Sequence, residues 1–338
     1  MIVRSGIPLA PHTTFHIGGP ARVFIEADTE EDIRAALGIA KRRALPLYPL
    51  GAGSNVLVKD EGVEGVVLKV ALRDIVFESG NDGFYLLIAE AGAKWDDVVD
   101  AAVSRGLSGI ENLAGIPGTV GGATVQNIGA YGAELADVFE YADSIDTTTG
   151  ALVRITRAES AFAYRSSFFK ESRAHVIVRV ALRLTTLGTP RVGYPDLARA
   201  REAGTPLSTP PEIAAAVRAI RSQKLPDPSE EGTAGSFFKN PVISDASVAT
   251  LRARYPEMPV FPQGDGMAKV SLAWLLDRAL SLKGYAMGSV RLYERQPLVI
   301  VAREGATASQ VDALAQEVAR RVVDATGIVL EREVETFG

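Results

Sequence analysis

The sequence predicts an α+β fold, because strand and helix signals alternate in parts of the chain and short strands dominate elsewhere. Two strand patterns flank a helix pattern within the first 70 residues. Short strand candidates then dominate from about residue 74 to 187, and a strand, helix and strand pattern covers residues 298–334. A chain of 338 residues is long enough for two or three domains with these elements.

The first predicted domain, residues 1–70, is a small α/β unit. Strand patterns at 22–27, 47–50, 56–58 and 66–70 accompany a helix pattern at 29–44. Thr29 can cap this helix, and the acidic run that follows lies at its positive end. Its apolar stripe consists of Ile33, Ala36, Leu37 and Ala40.

The second predicted domain, residues 71–210, is a mixed α+β unit. Strand candidates lie at 84–90, 152–155 and 176–184, with a helix near 95–105. The stretch 188–211 is rich in Pro, Gly and Thr, so we expect a long connecting loop there.

The third predicted domain, residues 211–327, begins with a helix. Thr209 and Glu212 have the spacing of a capping box. Arg221 and Lys224 are three residues apart, so they offer two cations on one face, although a solvated basic face is the alternative. A strand at 298–302, a helix at 307–325 and a strand at 328–334 form a βαβ pattern, and we expect the C-terminal segment 328–338 to join the first domain.

Composition excludes several classes of function. Hydrophobic residues make up 47% and charged residues 23%, as in a globular protein, and the net charge of −5 argues against a general nucleic-acid binder. The absence of cysteine excludes disulfides, iron–sulfur clusters and thiolate zinc sites, and the three histidines lack metal-ligand spacing. No apolar run resembles a signal peptide or a membrane span, so we expect a cytoplasmic monomer without bound metal.

Two glycine-rich segments stand out, GAGSN at 51–55 and GIPGTVGGATVQNIGAY at 115–131. Glycine lacks Cβ and tolerates positive φ, so such loops can bring backbone N–H groups close to a phosphate or a flat ring. Together they indicate a bound nucleotide cofactor, although each can also be an ordinary tight turn. Neither has the GxGxxG or the P-loop spacing, which argues against a Rossmann unit.

A series of motifs lies along almost the whole chain: HTTFHIGGPA, PLGAGSNVL, GIPGTVGGATVQNIGAYG, YRSSFFK, YPDL, RSQKLPDP, AGSFFKNP and LEREV, in that order. Together they resemble the motifs of the UDP-N-acetylenolpyruvoylglucosamine reductases of bacterial peptidoglycan synthesis. The YPDL motif, which contains Tyr194, is similar to that of the longer members, in which a tyrosine loop covers the substrate.

The resemblance implies a fold and an activity. The fold is a two-domain FAD-binding module of the vanillyl-alcohol-oxidase type plus a third α/β substrate-binding domain. NADPH reduces a non-covalent FAD, and the enolpyruvyl nucleotide sugar is then reduced to UDP-N-acetylmuramate, without a nucleic-acid or membrane partner. The cofactor-binding positions implied are Gly51, Gly53, Ser54, Asn55, Ile116, Gly118, Gly121, Gly122, Gln126 and Gly129.

The resemblance also assigns residues to the chemistry. Arg165 binds the substrate carboxylate and stabilises the developing enolate, Glu333 assists, and Ser236 donates the proton. Without the resemblance, Ser236 is an ordinary structural serine and Glu333 an exposed carboxylate. Substrate-binding positions implied are Tyr131, Tyr194, Arg221, Lys224 and Asn240. Arg278 departs from the family, because some members have glutamine there.

Two other functions are compatible with parts of the sequence. An FAD-dependent oxidase of an alcohol or sugar could use the same cofactor fold, but many such oxidases attach flavin through His or Cys. The chain has no cysteine, and neither glycine-rich segment contains a histidine. A non-catalytic nucleotide-binding protein would need none of Arg165, Ser236 and Glu333.

Overall fold

The computed structural model describes residues 1–338. The helices are α1 (Glu30–Arg43), α2 (Trp95–Val103), α3 (Val120–Val125), α4 (Phe168–Ser172), α5 (Pro195–Glu202), α6 (Pro210–Lys224), α7 (Asp245–Arg254), α8 (Leu272–Trp274) and α9 (Ala308–Thr326). The strands are β1 (Ile2–Arg4), β2 (Ile7–Pro8), β3 (Pro20–Ala27), β4 (Leu47–Leu50), β5 (Val56–Val58), β6 (Val63–Val70), β7 (Ile75–Ser79), β8 (Phe84–Glu90), β9 (Gly129–Ala130), β10 (Ala133–Glu134), β11 (Phe139–Asp146), β12 (Leu152–Thr156), β13 (His175–Thr185), β14 (Val242–Ser244), β15 (Val260–Gly264), β16 (Met267–Val270), β17 (Ala286–Met287), β18 (Val290–Leu292), β19 (Ile300–Ala302) and β20 (Glu335–Phe337). None of the helices combines the length and apolar character that a membrane span requires.

The chain divides into two compact units. The first unit contains Met1–Ile7, Pro20–Ala52 and Val63–Gln223, and the second contains Pro8–Gly19, Gly53–Gly62 and Lys224–Gly338. Each has its own cluster of buried apolar side chains. The division into three domains with boundaries after residues 70 and 210 remains a prediction.

One sheet of the first unit has the strand order β1-β3-β6-β4, in which β3, β6 and β4 are parallel. Helix α1 packs on β3 and β6 through the buried side chains of Ile33, Ala36 and Ala40. Thr29 caps α1 by accepting a bond from the Asp32 N–H at 3.1 Å, and the helix ends at Ala44, whose φ is +51°. The predicted helix, its cap and its buried stripe are therefore confirmed.

The other large sheet of this unit is antiparallel and has the order β12-β11-β13-β8-β7. Helix α3, which lies in the longer glycine-rich segment, packs against β13 and β8. The Trp95 side chain at the start of α2 is fully buried, and its Nε1–H donates to the Leu113 carbonyl at 2.9 Å. This bond fixes the chain that leads into the segment.

The second unit contains two small antiparallel sheets, β14-β16-β15 and β17-β18-β19, and the parallel pair of β20 with β5. Helix α9 provides much of its core through Val311, Leu314 and Val318, which are fully buried. A capping box between Thr307 and Gln310 starts α9. The predicted C-terminal helix is confirmed within one residue at each end.

The prediction of an unbroken connecting loop over 188–211 is wrong, because α5 (Pro195–Glu202) lies inside it. Pro195 occupies the first turn, where its missing N–H costs nothing, and Leu197 is fully buried. The helix has only one buried residue, so its apolar periodicity is too weak to be seen among the surrounding Pro, Gly and Thr residues.

The prediction of a strand over 328–334 is also wrong. These residues form isolated backbone hydrogen bonds instead of a continuous β-ladder. The Glu333 N–H donates to the Phe237 carbonyl at 2.9 Å, and the Lys239 N–H donates to the Glu331 carbonyl at 3.0 Å. The regular strand is β20, further along the chain. Because β20 pairs with β5 whereas β19 belongs to another sheet, the predicted βαβ pattern is not formed within one sheet.

Asp60 offers a test of how α9 is anchored within the second unit. Its carboxylate accepts bonds from the Ala308 N–H at 2.7 Å, the Ser309 N–H at 3.0 Å and the Ser309 hydroxyl at 2.6 Å. Burial alone would raise the pKa of Asp60, but the bonds from Ser309 and Ala308 lower it. We expect Asp60→Ala to destabilise α9 by about 1–2 kcal/mol, as for loss of a helix cap.

Hydrogen-exchange mass spectrometry of peptides from α9 measures this effect as a loss of protection of about 5–30-fold at pH 7. Because the folded pKa of Asp60 is lowered, its stabilisation should disappear as the pH falls below about 4, where the carboxyl becomes protonated. Glu304→Ala, which removes a nearby acid outside the cap, is the control. Equal protection in Asp60→Ala and Glu304→Ala would contradict the assigned anchor.

Candidate functional site

The longer glycine-rich segment begins between two arginines of α6. The Asp96 carboxylate accepts the Gly115 N–H at 2.7 Å and the Arg218 Nη2–H at 2.8 Å, while Arg221 Nε donates to the Gly115 carbonyl at 3.0 Å. A Cβ on Gly115 would lie 3.3 Å from Arg218 Cγ and 3.4 Å from Arg221 Cδ. The alternative of a solvated basic face is therefore wrong for Arg221, which anchors the start of the segment together with Arg218.

The next part of the segment, Gly118 to Gly122, is bonded to the backbone that precedes α2. The N–H groups of Val120 and Gly121 donate to the carbonyls of Ala93 and Ala91 at 3.0 and 2.9 Å. Thr119 caps α3 by accepting from the Gly122 N–H at 3.5 Å. The N–H groups of Gly118 and Thr119 have no partner in the protein.

The shorter glycine turn approaches the longer segment within the first unit. A Cβ on Gly51 would lie 2.5 Å from the Thr119 hydroxyl oxygen, so only glycine permits this distance. Lys69 donates to the Gly51 carbonyl at 2.6 Å. Burial lowers the pKa of Lys69, although the charge of Glu26 opposes the shift. The two segments predicted to bind one cofactor are thus neighbours at Gly51 and Thr119.

The predicted cofactor glycines fall into two classes. A Cβ on Gly53 would lie 2.3 Å from the His12 carbonyl oxygen, and one on Gly121 would lie 3.0 Å from Ala91 Cβ, so the chain itself fills the space at both. Gly122 is exposed, and a Cβ there would meet only the Thr119 hydroxyl at 3.7 Å. Gly122 is therefore open to a ligand, and the N–H groups of Gly118 and Thr119 nearby in the segment have no protein partner.

Arg165 lies against the C-terminal part of the same segment. Its backbone has a left-handed φ of +56°, and its Nη2–H donates to the Gly129 carbonyl at 2.7 Å. A Cβ on Gly129 would lie 2.9 Å from Arg165 Nη1, so a larger residue would displace the guanidinium. Lys170 donates to the Gln126 side-chain oxygen at 2.9 Å and to the Arg165 carbonyl at 3.2 Å. The structure therefore brings Arg165, Gln126 and Gly129 together.

Tyr131 and Tyr194 form an aromatic pair in the first unit. Their ring centroids are 5.3 Å apart with an edge-on angle of 73°. Tyr131 has a φ of +49°, and Tyr194 is 44% exposed just before α5. Burial raises the pKa of Tyr131 to about 12 against the opposing charge of Arg221, and burial also raises the pKa of Tyr194. Both phenols are hydrogen-bond donors at neutral pH.

In the second unit, the segment with Ser236 lies beside the segment with Glu333. Ser236 pairs with Val299 on one side, and the next residue, Phe237, accepts the Glu333 N–H at 2.9 Å on the other. Asn55 holds the same segment, because its Nδ2–H donates to the Glu333 carbonyl at 3.0 Å and its carbonyl accepts the Glu335 N–H at 3.0 Å. The unit thus brings together Ser236, Glu333 and Asn55.

Two other predicted positions, Asn240 and Lys224, and the departure from the family at Arg278 also lie in the second unit. Asn240 accepts the Leu272 N–H at 3.0 Å through its side-chain oxygen, which fixes it at the start of α8. Lys224 is the last residue of α6 and is half-buried. Arg278 lies in a π-helical turn, and its side chain is 71% exposed, 3.7 Å from the Asp277 carboxylate.

Sequence reasoning missed the residues that support these groups. Thr119, Asp96 and Lys170 each hold a segment named above, yet only Thr119 carries a local signal, because it precedes a short helix at the capping position. Asp96 and Lys170 act on residues 19 and 44 positions away. Contacts between residues so far apart in the sequence are visible only in the three-dimensional structure.

Comparison with known proteins gives a consistent result. The family model of an FAD binding domain matches residues 21–156, and that of the UDP-N-acetylenolpyruvoylglucosamine reductase C-terminal domain matches residues 227–337. The UDP-N-acetylenolpyruvoylglucosamine reductase of Paraburkholderia xenovorans is 43% identical over 97% of this chain and 96% of the relative. That of Pseudomonas aeruginosa is 42% identical over 97% of both chains.

A solved structure is also similar. The crystal structure of UDP-N-acetylenolpyruvylglucosamine reductase from Thermus caldophilus covers 100% of both chains with a TM-score of 0.68 and 27% identity. These findings confirm the resemblance read from the motifs and the predicted α+β fold with an FAD-binding module.

The two classes of glycine lead to a test of the cofactor surface. We expect Gly122→Val to fold normally, because its Cβ enters open space, but to weaken FAD binding by at least about 10-fold through steric exclusion, a loss of about 1.4 kcal/mol. Gly121→Val should instead lower the stability of the protein. Flavin absorbance after gel filtration and thermal unfolding separate the two effects.

Gly38→Val is the matched control, because Gly38 is also a helical glycine whose Cβ would meet only the flexible Arg42 side chain at 3.2 Å. Gly38→Val also places a β-branched residue in a helix, so it has the same unfavourable effect on helix stability as Gly122→Val. A Gly122→Val protein with the FAD content of Gly38→Val would contradict the assigned surface.

Proposed function

Because this chain belongs to the family of UDP-N-acetylenolpyruvoylglucosamine reductases, we propose that it reduces UDP-N-acetylglucosamine enolpyruvate to UDP-N-acetylmuramate with NADPH. It is an FAD-dependent oxidoreductase of peptidoglycan precursor synthesis. The observation that carries the proposal is that Arg165, a fixed cation, is bonded to Gly129 of the segment that fits FAD. We also propose that the enzyme works in the cytoplasm as a monomer.

FAD, when bound, supplies hydride transfer between NADPH and the enolpyruvyl group. The groups that would hold it are the N–H donors of Gly118 and Thr119, the open surface at Gly122 and the neighbouring turn at Gly51. The other implied positions, among them Gly53 and Gly121, would contribute by shaping these turns. The absence of cysteine and the lack of a histidine in the turns support non-covalent binding.

The reaction adds a hydride and a proton across a carbon–carbon double bond that is conjugated to a carboxylate. Hydride addition to one carbon develops negative charge on the other carbon and the carboxylate. In the proposal, Arg165 binds that carboxylate through its planar fork and stabilises this charge, because its position is already fixed before the substrate arrives. Glu333 assists the same stabilisation, and the Ser236 hydroxyl donates the proton to the second carbon.

The remaining residues of the proposal bind the nucleotide sugar. Tyr131 and Tyr194 would donate hydrogen bonds to its phosphate oxygens, because a phenol keeps its proton at neutral pH and burial raises both pKa values further. Arg221, Lys224 and Asn240 would contact the diphosphate and uridine end. A local cluster of cations can attract a diphosphate to an acidic protein, because nearby charges outweigh net charge. The assignment to the subclass with the covering tyrosine loop rests on Tyr194.

The alternative of an FAD-dependent alcohol or sugar oxidase is not favoured. The C-terminal third of the chain matches a domain defined for the reductase family.

The role of Ser236 can be tested by separating the two half-reactions. We expect Ser236→Ala to bind FAD and to be reduced by NADPH at nearly the wild-type rate. Its reoxidation by the enolpyruvyl substrate should slow by about 10²–10⁴-fold, as expected for loss of a general acid. Anaerobic stopped-flow absorbance of the flavin measures both rates.

Ser222→Ala, which removes an exposed serine hydroxyl from α6, is the control for Ser236→Ala. Reoxidation of Ser236→Ala at the rate of this control would show that another group donates the proton. Wild-type enzyme that the substrate cannot reoxidise would refute the proposed function itself.

The role of Lys224 can be tested through KM, because a residue that only binds the substrate should not affect reduction of the flavin by NADPH. We expect Lys224→Ala to raise KM for the nucleotide sugar about 10-fold or more while flavin reduction by NADPH stays nearly unchanged, because the residue is proposed to contact only the substrate. Lys41→Ala, which removes an exposed lysine near the end of α1, is the matched control. Equal losses in both half-reactions would contradict a substrate-specific contact.

A further inference from the structure

Asn127 is a buried polar residue that the proposed chemistry does not use. It lies two residues after the end of α3 and is only 1% exposed. Its φ is +42°, a left-handed conformation that asparagine tolerates better than most residues. A buried amide is costly unless its polar atoms are bonded, so its partners show what the residue does.

The Asn127 side chain connects two separate segments of the first unit. Its Nδ2 donates to the Glu134 carboxylate at 3.1 Å and to the Ala163 carbonyl at 3.0 Å. Its Oδ1 accepts the Ala136 N–H at 3.0 Å. Both amide N–H groups and the amide oxygen are therefore used, and no other side chain of similar size offers two donors and an acceptor in this arrangement.

Each connected segment carries a residue of the proposed site. Glu134 ends the hairpin of β9 and β10, whose turn contains Tyr131, and Ala136 follows that hairpin. Ala163 is bonded in both directions to Ser166, and this tight turn contains Arg165. Tyr131 and Arg165 are themselves in the left-handed region, where a non-glycine residue needs support from its surroundings.

Two hydrogen-bonded links join the turn of Arg165 to the hairpin of β9 and β10, one through Asn127 and one through Arg165 itself. Asn127 holds the Arg165 turn through Ala163, and the Arg165 guanidinium returns to the hairpin through the Gly129 carbonyl at 2.7 Å. Without the amide, the turn would keep the bond from Lys170 to the Arg165 carbonyl and the bond from its own guanidinium, which is the group that the substrate carboxylate is expected to engage. The amide thus fixes the turn independently of that bond.

We propose that Asn127 is a positioning residue that holds the turn of Arg165 and the hairpin of Tyr131 in fixed relative positions for reduction of the substrate. The inference rests on the proposed function, since it assumes that Arg165 stabilises charge on the enolpyruvyl substrate. It adds a residue that touches neither the substrate nor FAD.

Two substitutions test the proposal without a backbone penalty. Asn127→Asp keeps the size but replaces the donor with an acceptor facing the Glu134 carboxylate and the Ala163 carbonyl. Asn127→Gly removes the side chain and tolerates positive φ. Ser144→Ala is the control for loss of a buried polar group, because Ser144 is fully buried in β11 and contacts neither segment.

We expect Asn127→Asp and Asn127→Gly to bind FAD and to be reduced by NADPH at nearly the wild-type rate. Reoxidation by the enolpyruvyl substrate should slow by about 10²-fold, as when a catalytic group is misplaced by about 1 Å. In an Arg165→Ala background, Asn127→Gly should slow reoxidation by less than about 3-fold further, because residues that act through one another are not additive. Full additivity would overturn the proposal.

Hydrogen-exchange mass spectrometry provides a readout without turnover. Peptides spanning 128–136 and 161–167 should both lose protection in Asn127→Gly and keep it in Ser144→Ala. Loss in only one segment, or reoxidation of both Asn127 variants at the wild-type rate, would overturn the proposal. If the wild type is not reoxidised by the substrate, the proposed function fails and the catalytic role of Asn127 fails with it, whereas coupled exchange still shows that Asn127 joins the segments.

Discussion

The architecture of the first unit depends on close approach of a glycine-rich backbone to its neighbours. Gly121 lies against Ala91 and Gly51 against Thr119 at distances that leave little or no room for a side chain, and Gly115 lies between the side chains of Arg218 and Arg221. Because the segment is held this closely, α3 begins at a defined place and the N–H groups of Gly118 and Thr119 remain without a protein partner. The same packing sets the position of Gly129, to which Arg165 is bonded.

Polar bonds then stabilise conformations that side chains ordinarily avoid. Arg165, Tyr131 and Asn127 all have positive φ, and such backbone strain costs on the order of 1–3 kcal/mol at each residue. The strain is offset by bonds that cross between segments, from Asn127 to Ala163 and from Arg165 to Gly129. A cation fixed in this way needs little reorganisation when charge develops on a bound carboxylate.

Local sequence patterns predicted much of the fold but little of the support around the site. Helix α1 and its Thr29 cap, α9 and the strands β4, β5 and β8 follow from periodicity and capping signals that act within a few residues. Helix α5 was missed because its only buried residue is Leu197. The last strand was predicted too early in the chain, because residues 328–334 make only isolated hydrogen bonds with residues 237–239 and the regular strand begins at Glu335. Interactions between distant residues carry no local signal.

The residues of the site show the same limit. Motifs named Arg165, Ser236 and Glu333, and the structure shows how each is held, yet their catalytic roles remain predictions. Asn127 and Asp96 could not be found from sequence, because their partners lie up to 122 residues away. The glycines were located correctly as a group, but only the structure separates those that let the chain pack from Gly122, which leaves a surface open.

We propose that this chain transfers reducing equivalents from NADPH to an enolpyruvyl nucleotide sugar through FAD. Anaerobic absorbance of the purified wild-type holoenzyme tests it most directly. NADPH should bleach the flavin band, and one equivalent of UDP-N-acetylglucosamine enolpyruvate should restore it without oxygen while forming one equivalent of UDP-N-acetylmuramate. A flavin that stays reduced with this substrate and is reoxidised only by oxygen would show that the enolpyruvyl nucleotide sugar is not the electron acceptor.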